Sequence, residues 1–319
     1  MIIQSRKVII LGAGRVGGGC GISLVLRGDA DELVFIDIDQ KKAEAQALDL
    51  CNVVSYLPKR IKVHSGNYSD CIDAQILVLT AGVSRLPGQS RDEEFDGSMH
   101  VISKIVDPIR DSGFDGVLIS VTNPADVICD YMRKHTGIER HKIISTGTSM
   151  DSTRVRHVLS QATGVSPAFI QAWSMGEHGP AQMIPWSHVT FNGISLIDLM
   201  KSYPDTYGKL NLDDLLEAAR REGAVIPDGK GTTEFGIGYT VSELVTAILR
   251  DQSAVFPVSL LLDGEYEQCG VHASVPCIIG KNGVEQILEI PLTPDEKARF
   301  DASCNAIRKG IKKADNWKD

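Results

Sequence analysis

The stretch KVIILGAGRVG, residues 7–17, decides the fold of this 319-residue chain. Its first five residues, Lys7–Leu11, are mostly β-branched and apolar, which predicts a buried strand. Three glycines in the spacing GxGxxG follow at once, and the apolar stretch Val16–Leu26 then predicts a helix. A strand that passes through a glycine-rich turn into a helix is the first unit of a doubly wound α/β fold.

The three glycines suit the approach of a dinucleotide. Gly12 permits the tight turn, Gly14 lets the backbone approach a pyrophosphate, and Gly17 lets helix and strand pack closely. The free N–H groups and the partial positive charge of the helix N-terminus favour the phosphates. The alternative is a glycine-rich turn in an α/β protein that binds another ligand.

An acid about 20 residues after the last glycine indicates which dinucleotide is bound. Asp37 ends the next strand-like run, LVFI. A carboxylate there accepts hydrogen bonds from a ribose diol and repels a 2′-phosphate, so we predict NAD rather than NADP. Asp39 is a competing acid two residues later, but the strand-end position favours Asp37.

The first half of the chain repeats this alternation of strands and helices. Further strands are predicted at Leu33–Ile38, Ile76–Thr80, Gly116–Val121 and Ile143–Ser145, and a helix at Lys41–Cys51. Apolar strands that alternate with helices indicate a parallel sheet covered on both faces.

The second half changes character, because its helices and strands no longer alternate. Two apolar runs there predict strands of a separate sheet. The predicted strands are Val255–Leu262 and Ala273–Ile279, and the predicted helices are Ser152–Thr163, Leu212–Glu222, Gly236–Arg250 and a final one capped by Thr293. We therefore predict an α/β protein: a Rossmann-type doubly wound parallel sheet in residues 1–147, followed by a mixed α+β catalytic domain in residues 148–319.

Composition excludes several classes of protein. A net charge of −8 and a pI near 5.5 disfavour nucleic-acid binding. The seven cysteines contain no CxxC pair, which indicates reduced thiols and no metal site. The start MIIQSRKVII lacks the pattern of a signal peptide, and no apolar run approaches the ~20 residues that span a bilayer. We expect a cytoplasmic protein without a membrane partner.

Three charged segments are candidates for catalysis. In MGEHG, His178 stands between glycines on a loop, where a side chain with a pKa near neutrality suits a general acid/base. Asp151 and Arg154 share one face of a predicted helix, so Asp151 can orient the histidine and Arg154 can clamp a carboxylate. The alternatives are a structural histidine, and a helix cap with a solvated ion pair.

The third segment, AGVSRLPGQSR, follows the strand-like run ILVLT. Loops at the carboxyl ends of strands carry ligand chemistry in α/β enzymes. Arg91 there can polarise a carbonyl and exclude water when the loop closes. The alternative is an exposed loop with ordinary surface arginines.

These segments together resemble the L-lactate/L-malate dehydrogenase family over essentially the whole chain. The motifs that carry the resemblance are GAGRVG, VFIDID, TAGVSRLPGQSR, VTNPAD, GTSMDSTRVR, MGEHG and GKGTTEFG. It implies an NAD-dependent enzyme that interconverts a small 2-oxo acid and its L-2-hydroxy acid, with a loop around Ser84–Glu93 that closes over the substrate. It also implies a homodimer or homotetramer.

The resemblance assigns residues to roles. His178 is implied as the proton donor with Asp151 as its partner, and Arg91 as the group that polarises the carbonyl. The implied substrate-binding residues are Arg154, Arg85, Asn123 and Thr233. The cofactor-binding set comprises Gly12, Gly14, Gly17, Asp37, Thr80, Ala81, Gly82, Val121, Asn123, Thr146 and Ile237.

The residues that select the substrate disagree. Arg85 can pair with the second carboxylate of oxaloacetate, and Gln89 leaves the pocket one unit more positive than the glutamate of many lactate enzymes, so both favour malate dehydrogenase. Thr233 and Glu177 match the lactate pattern, while Pro180 departs from the family. We favour lactate over malate, with a bulkier hydroxyisocaproate-type substrate third.

Two other classes and one regulatory property stay open. A non-catalytic NAD-binding sensor would not carry the four catalytic candidates together, and an NAD-dependent glycosidase would need metal ligands, for which Cys129 and His135 are the nearest candidates. Arg156 matches one residue of a fructose 1,6-bisphosphate site, but Gln171 replaces its histidine. We expect weak or absent activation by that sugar.

Overall fold

The computed structural model describes residues 5–83 and 91–318, with residues 91–93 described by backbone alone. The strands among them are β1 (Lys7–Leu11), β2 (Glu32–Ile36), β3 (Lys62–Ser65), β4 (Ile76–Leu79), β5 (Val117–Ser120), β6 (Ile143–Ser145), β7 (Ile170–Gln171), β8 (Thr190–Phe191), β9 (Ile194–Ser195), β10 (Ala254–Asp263), β11 (Cys269–Gly280) and β12 (Gly283–Ile287).

The helices cover the faces of the sheet that these strands form. They are α1 (Arg15–Arg27), α2 (Gln40–Val54), α3 (Arg91–Asp111), α4 (Ala125–Thr136), α5 (Ser149–Thr163), α6 (Leu196–Ser202), α7 (Leu212–Lys230), α8 (Phe235–Leu249) and α9 (Pro294–Asp315). Within the described residues no helix is both long and apolar enough to cross a bilayer.

Six parallel strands form the predicted doubly wound sheet, in the order β3-β2-β1-β4-β5-β6. The strands other than β3 are almost fully buried, because helices lie on both faces, while the edge strand β3 is partly exposed. The chain order reverses between β1 and β4, so the carboxyl ends of these two strands border a crevice. The glycine turn after β1 and the loop after β4 both open at this point.

The prediction of a separate second sheet was wrong. β10 pairs antiparallel with β6 through Ser259 and Ser145, and β11 and β12 continue outward from β10. The described sheet therefore runs through nine strands, from β12 to β3. The edge of the three-residue strand β6 offers backbone groups that need partners, and β10 supplies them. A small sheet of β7, β8 and β9 has its own apolar core.

The helix predicted over Leu212–Glu222 continues to Lys230 in the structure. Gly223 and Pro227 are unfavourable inside helices, and for that reason the sequence pattern placed its end too early. α7 packs along α5, and its buried residues, Leu215, Leu216 and Ala219, lie in its first half. The capped last helix was predicted correctly: the Thr293 side chain accepts the N–H of Glu296, whose carboxylate returns to the Thr293 N–H.

Candidate active site

The glycine turn after β1 has the geometry that the sequence predicted. Gly12 has φ +109°, and a Cβ there would lie 2.6 Å from the Ala81 nitrogen. A Cβ at Gly17 would lie 1.9 Å from the Gly12 carbonyl oxygen, so helix α1 packs directly on the turn. A Cβ at Gly14 would meet only the Lys42 ammonium, at 3.9 Å. The outer side of the turn is thus open for the close approach of a pyrophosphate.

Asp37 and Asp39 have different roles in the structure. Asp37 follows β2 directly, and its carboxylate accepts the Ala13 N–H at 2.7 Å and the Asp39 N–H at 3.0 Å. The Asp39 carboxylate caps α2 by accepting the Lys42 N–H at 3.2 Å. Asp37 is therefore the acid that lies beside the glycine turn, while Asp39 is explained by its helix cap.

His178, Asp151 and Arg154 form one chain of short contacts. Nδ1 of His178 lies 2.6 Å from Oδ2 of Asp151, and Nη1 of Arg154 donates to Oδ1 of the same carboxylate at 2.7 Å. Asp151 and Arg154 are almost fully buried, whereas 25% of the His178 side chain is exposed. The ring therefore reaches solvent or substrate on one side only.

The charges of these three contacting side chains favour proton transfer by His178. The negative charge of Asp151 raises the pKa of His178, against the opposing effect of burial. Burial disfavours the charged form of Asp151, but His178 and Arg154 outweigh it and lower the pKa of that carboxyl. A carboxylate on Nδ1 leaves Nε2 as the nitrogen that can carry a transferable proton.

The loop before His178 is held by backbone pairing. Met175 pairs with Met183, and Gly176 pairs with Ser274 of β11. Gly176 has φ +84°, and a Cβ there would lie 2.2 Å from the Ser303 hydroxyl on α9. Only glycine fits this position, and the chain can therefore turn toward α5 immediately before the histidine.

A cavity of about 750 Å³ opens in front of His178. The predicted residues that line it are Thr80, Gly82, Val121, Asn123, Thr146, Asp151, Arg154, His178, Thr233 and Ile237. Gly12, Gly14, Gly17, Asp37 and Ala81 form the neighbouring turn at the ends of β1, β2 and β4. Arg85 and Gln89 lie outside the described residues, as does the side chain of Arg91, whose backbone begins α3.

Five residues of α7 line the cavity although the sequence analysis did not find them: Arg220, Gly223, Ala224, Pro227 and Asp228. Arg220 donates to the Gln182 carbonyl oxygen at 2.7 Å and pairs with Glu217. Gly223 faces Arg154, and a Cβ there would lie 3.0 Å from its Nη1. An arginine and a glycine in a polar helix carry no signal of their own, so only the packing of α7 on α5 reveals them.

Asp126 was also missed. It lies in the first turn of α4, is 3% exposed, and accepts the backbone N–H of His178 through Oδ2 at 2.9 Å. The available signal was its place in VTNPAD, where an acid follows Asn-Pro at the start of a helix.

Comparison with known proteins agrees with this geometry. The family model described as lactate/malate dehydrogenase, NAD binding domain matches residues 6–145, and the one described as lactate/malate dehydrogenase, alpha/beta C-terminal domain matches residues 148–317. The chain belongs to the lactate/malate dehydrogenase family. It is therefore an NAD-dependent oxidoreductase, as the sequence predicted.

Relatives in this family match the chain from end to end. L-lactate dehydrogenase 3 of Bacillus cereus is 38% identical over 97% of this chain and 98% of its own. The L-lactate dehydrogenase of Fusobacterium nucleatum is 37% identical over 99% of both. Among solved structures, minor L-lactate dehydrogenase of Enterococcus mundtii has a TM-score of 0.91 at 35% identity, covering 97% of this chain and 98% of its own. Malate dehydrogenase of Aeropyrum pernix has 0.88 at 32% identity, covering 96% and 97%.

The residues considered as metal ligands lie away from the cavity of this dehydrogenase. Cys129 is fully buried in α4, and His135 is exposed and stacks on Tyr131 with ring centroids 4.2 Å apart. Across residues 5–83 and 94–318, no group of three or more His, Cys, Asp or Glu side chains has the geometry of a metal site.

Proposed function

We propose that this dehydrogenase reduces a small 2-oxo acid, with pyruvate as the preferred substrate and L-lactate as the product. The observation that carries the proposal is the chain from His178 through Asp151 to Arg154 at one wall of the cavity. It combines a proton carrier, a charge that orients it, and a guanidinium that fits a carboxylate. Thr146 and Ile237 line the same cavity, where the resemblance implies the nicotinamide.

In the proposed reaction each side chain has one task. NADH, held by the cofactor residues named below, would supply the hydride for the keto carbon. Arg154 holds the substrate carboxylate, so that the carbonyl oxygen faces Nε2 of His178. As negative charge develops on that oxygen, His178 delivers its proton and Asp151 stabilises the imidazolium before transfer. Arg91 is proposed to polarise the same carbonyl.

NAD is proposed to bind at the carboxyl ends of β1 and β4, where the chain order of the sheet reverses. Asp37 is the proposed partner of the adenosine ribose, and the helix N-terminus of α1 the partner of the pyrophosphate. The other proposed contacts come from Gly12, Gly14, Gly17, Thr80, Ala81, Gly82, Val121, Asn123, Thr146 and Ile237. Residues 1–147 would thus bind NAD, and residues 148–319 the substrate.

Lactate is favoured over malate by two observations. The most similar relatives described above are named L-lactate dehydrogenases. Among the described residues that line the cavity, the arginine other than Arg154 is Arg220, which already pairs with Glu217 and the Gln182 carbonyl. Both terminal nitrogens of Arg220 are therefore occupied, and only its Nε has no partner among the described residues, which leaves it poorly placed to hold a second substrate carboxylate with two hydrogen bonds.

Malate dehydrogenase remains the second candidate because of the loop after β4. Arg85 and Gln89 carry the charge pattern that suits oxaloacetate, and a malate dehydrogenase is among the similar solved structures. A closed pocket disfavours an unpaired charge, so an Arg85 that enters it would prefer a dicarboxylate.

The variant Arg85→Gln separates these candidates. If pyruvate is the natural substrate, its kcat/KM is expected to exceed that of oxaloacetate and 2-oxoisocaproate and to change less than about threefold in the variant. If Arg85 pairs with a second carboxylate, oxaloacetate kcat/KM falls by about 10–100-fold, the effect of losing a charge-assisted hydrogen bond. The measurement is NADH oxidation with the three acids side by side.

Arg60→Gln is the matched control, because Arg60 is an exposed arginine outside the cavity lining. Its three activities are expected to equal those of the unmodified enzyme. A preference for oxaloacetate that disappears in Arg85→Gln would replace lactate by malate dehydrogenase. Activity with none of the three acids would reject the proposed reaction class.

Asp37→Ser tests the cofactor assignment. Loss of the carboxylate removes the ribose acceptor and the repulsion of a 2′-phosphate, so the Kd of NADH is expected to rise by about tenfold and the preference for NADH over NADPH to fall by more. Quenching of protein fluorescence by each cofactor measures both. Asp39→Ser removes the charge but keeps a side-chain oxygen that can cap α2, so it is expected to keep both the cofactor preference and the thermal stability; equal loss of preference in both variants would contradict the assignment.

Three wider properties are proposed with this function. The seven cysteines all lie within the described residues and are free thiols, which suits the cytoplasm. The resemblance suggests a homodimer or homotetramer. Gln171 is exposed on β7, where its amide oxygen accepts the Thr190 hydroxyl, and it leaves Arg156 without the histidine of a sugar-bisphosphate site, so weak or absent activation is proposed.

A further inference from the structure

His178 is held by two carboxylates that come from two different helices. Asp151 of α5 contacts Nδ1 of the ring at 2.6 Å. Asp126 of α4 accepts the backbone N–H of the same residue at 2.9 Å. The first contact orients the ring, and the second fixes the main chain from which the ring projects. Together they determine where Nε2 points.

Asp126 is buried, and one of its two carboxyl oxygens has no hydrogen-bond partner among the described residues. It is 3% exposed, and the charged side chains with the largest effects on its pKa are those of His178 and Glu177. Burial raises its pKa to about 6, although the Ser259 hydroxyl and His178 lower it. The Ser259 contact falls outside ordinary hydrogen-bond geometry, because both its hydroxyl and Oδ1 of Asp126 count as unsatisfied among the described residues. Among the described residues, the Asp126 carboxyl therefore accepts the His178 N–H through one oxygen and leaves its other oxygen without a partner.

The groups that surround His178 and Asp126 show which charges act on the pKa of the histidine. His178 is faced by Asp151 and Arg154 from α5 and by Asp126 from α4, and the charge of Asp126 raises the pKa of His178. Asp126 itself is faced by His178 and Glu177 from the loop, Ser259 from β10, Cys304 from α9 and Cys129 from its own helix. Burial raises the pKa of both thiols, so they are neutral near pH 7.

We propose that Asp126 is a positioning residue for His178, which fixes its main chain and supplies a second negative charge that favours the protonated ring. This inference rests on the proposed role of His178 as proton donor. The rigid first turn of α4 carries the carboxylate, while the ring keeps its open side toward the cavity. Asp126 does not line the cavity, so it acts through the histidine and not on the substrate.

The variants Asp126→Asn and Asp126→Ala separate the two contributions. Asparagine keeps an oxygen that can accept the His178 N–H but removes the charge, so the pKa of His178 is expected to fall by about half a unit to one unit. Proton affinity of the ring then drops about three- to tenfold. Alanine removes the acceptor as well. The kcat of Asp126→Ala is expected to be about tenfold lower than that of Asp126→Asn, because the ring loses its fixed direction. Histidine NMR of the NADH-bound enzyme, with His178→Gln used for assignment, measures the ring pKa directly.

Asp130→Asn is the matched control, one turn further along α4. Asp130 is as buried as Asp126, but it pairs with Lys134 and lies 3.0 Å from His272. This control is expected to lower thermal stability and to leave the His178 pKa unchanged. The inference is overturned if both Asp126 variants lose only stability, with an unchanged His178 pKa and an unchanged pH profile of kcat/KM. If His178→Gln stays active while Asp126→Asn still shifts the ring pKa, the proposed function fails and the positioning role stands.

Discussion

Replacing His178 by glutamine is expected to lower kcat for 2-oxo acid reduction by about 10²–10⁴-fold, the usual contribution of a general acid. The substitution removes the proton that Nε2 would deliver as charge develops on the carbonyl oxygen. The Kd of NADH is expected to stay within about threefold, because Gly12, Gly14 and Asp37 do not line the cavity that His178 faces. Single-turnover NADH oxidation and a cofactor titration measure the two quantities separately.

His141→Gln is the control for this substitution. His141 is 43% exposed, faces Glu139 and does not line the cavity, so its variant is expected to keep full kcat. A His178→Gln enzyme with more than about a tenth of the original turnover would assign the proton to another donor. A variant that had also lost NADH binding would indicate misfolding, which circular dichroism detects.

The pH dependence of the unmodified enzyme follows from the same group. Reduction needs the protonated ring, so kcat/KM for the 2-oxo acid is expected to fall as pH rises through the pKa of His178. Because Asp151 raises that pKa above its usual value, activity extends further into the alkaline range than a free histidine would allow. Oxidation of the hydroxy acid needs the neutral ring and should show the opposite dependence.

Replacing Arg154 by lysine is expected to lower kcat/KM for the 2-oxo acid by about 10²–10³-fold, mostly through KM. A lysine keeps the charge but cannot hold a carboxylate by two parallel hydrogen bonds. It also loses the planar contact by which Arg154 donates to Asp151 at 2.7 Å, so the partner of His178 is less well oriented. Because the side chain is about 10% exposed, neither loss is compensated by water.

Gly223 provides a second test of the Arg154 guanidinium, because it leaves space beside it. A Cβ at Gly223 would press on the Arg154 guanidinium, so Gly223→Ala should weaken substrate binding in the same direction by a smaller factor. Arg110→Lys, at an exposed arginine that pairs with Asp107 and Asp111, is the control and is expected to change nothing. Steady-state kinetics with saturating NADH measure all three. A loss in Arg154→Lys confined to kcat, with KM unchanged, would argue against the carboxylate clamp.

The nucleotide-binding half was predictable from the sequence because its determinants are local. The strand Lys7–Leu11, the glycine turn and the acid Asp37 lie within one short segment, and their spacing alone requires the βαβ geometry. The structure added that Asp39 caps α2, which gives this second acid a local structural role. The structure also corrected the prediction of a separate second sheet, because no local sequence pattern indicates that β10 pairs with the edge strand β6.

For the candidate site, the residues could be found from the sequence, but their geometry could not. His178, Asp151 and Arg154 were found from residue type and motif, and their family was recognisable because these motifs follow one another in order along the chain. Their mutual distances, the buried state of Arg154 and the ring pKa shift depend on the packing of α5 against the His178 loop. Such contacts join residues far apart in sequence, so no spacing rule encodes them.

The fold class, the cofactor and the reaction type could be inferred from the sequence, because each depends on residues that act through short, local patterns. The packed structure was needed to find the Asp126 contact with the His178 N–H, the space that Gly223 leaves for Arg154, and the hydrogen bond from Arg220 to the Gln182 carbonyl. Each of these residues has an ordinary local context. Each acquires a role because a second helix or loop brings a partner within contact distance, and that proximity is a property of the packed chain.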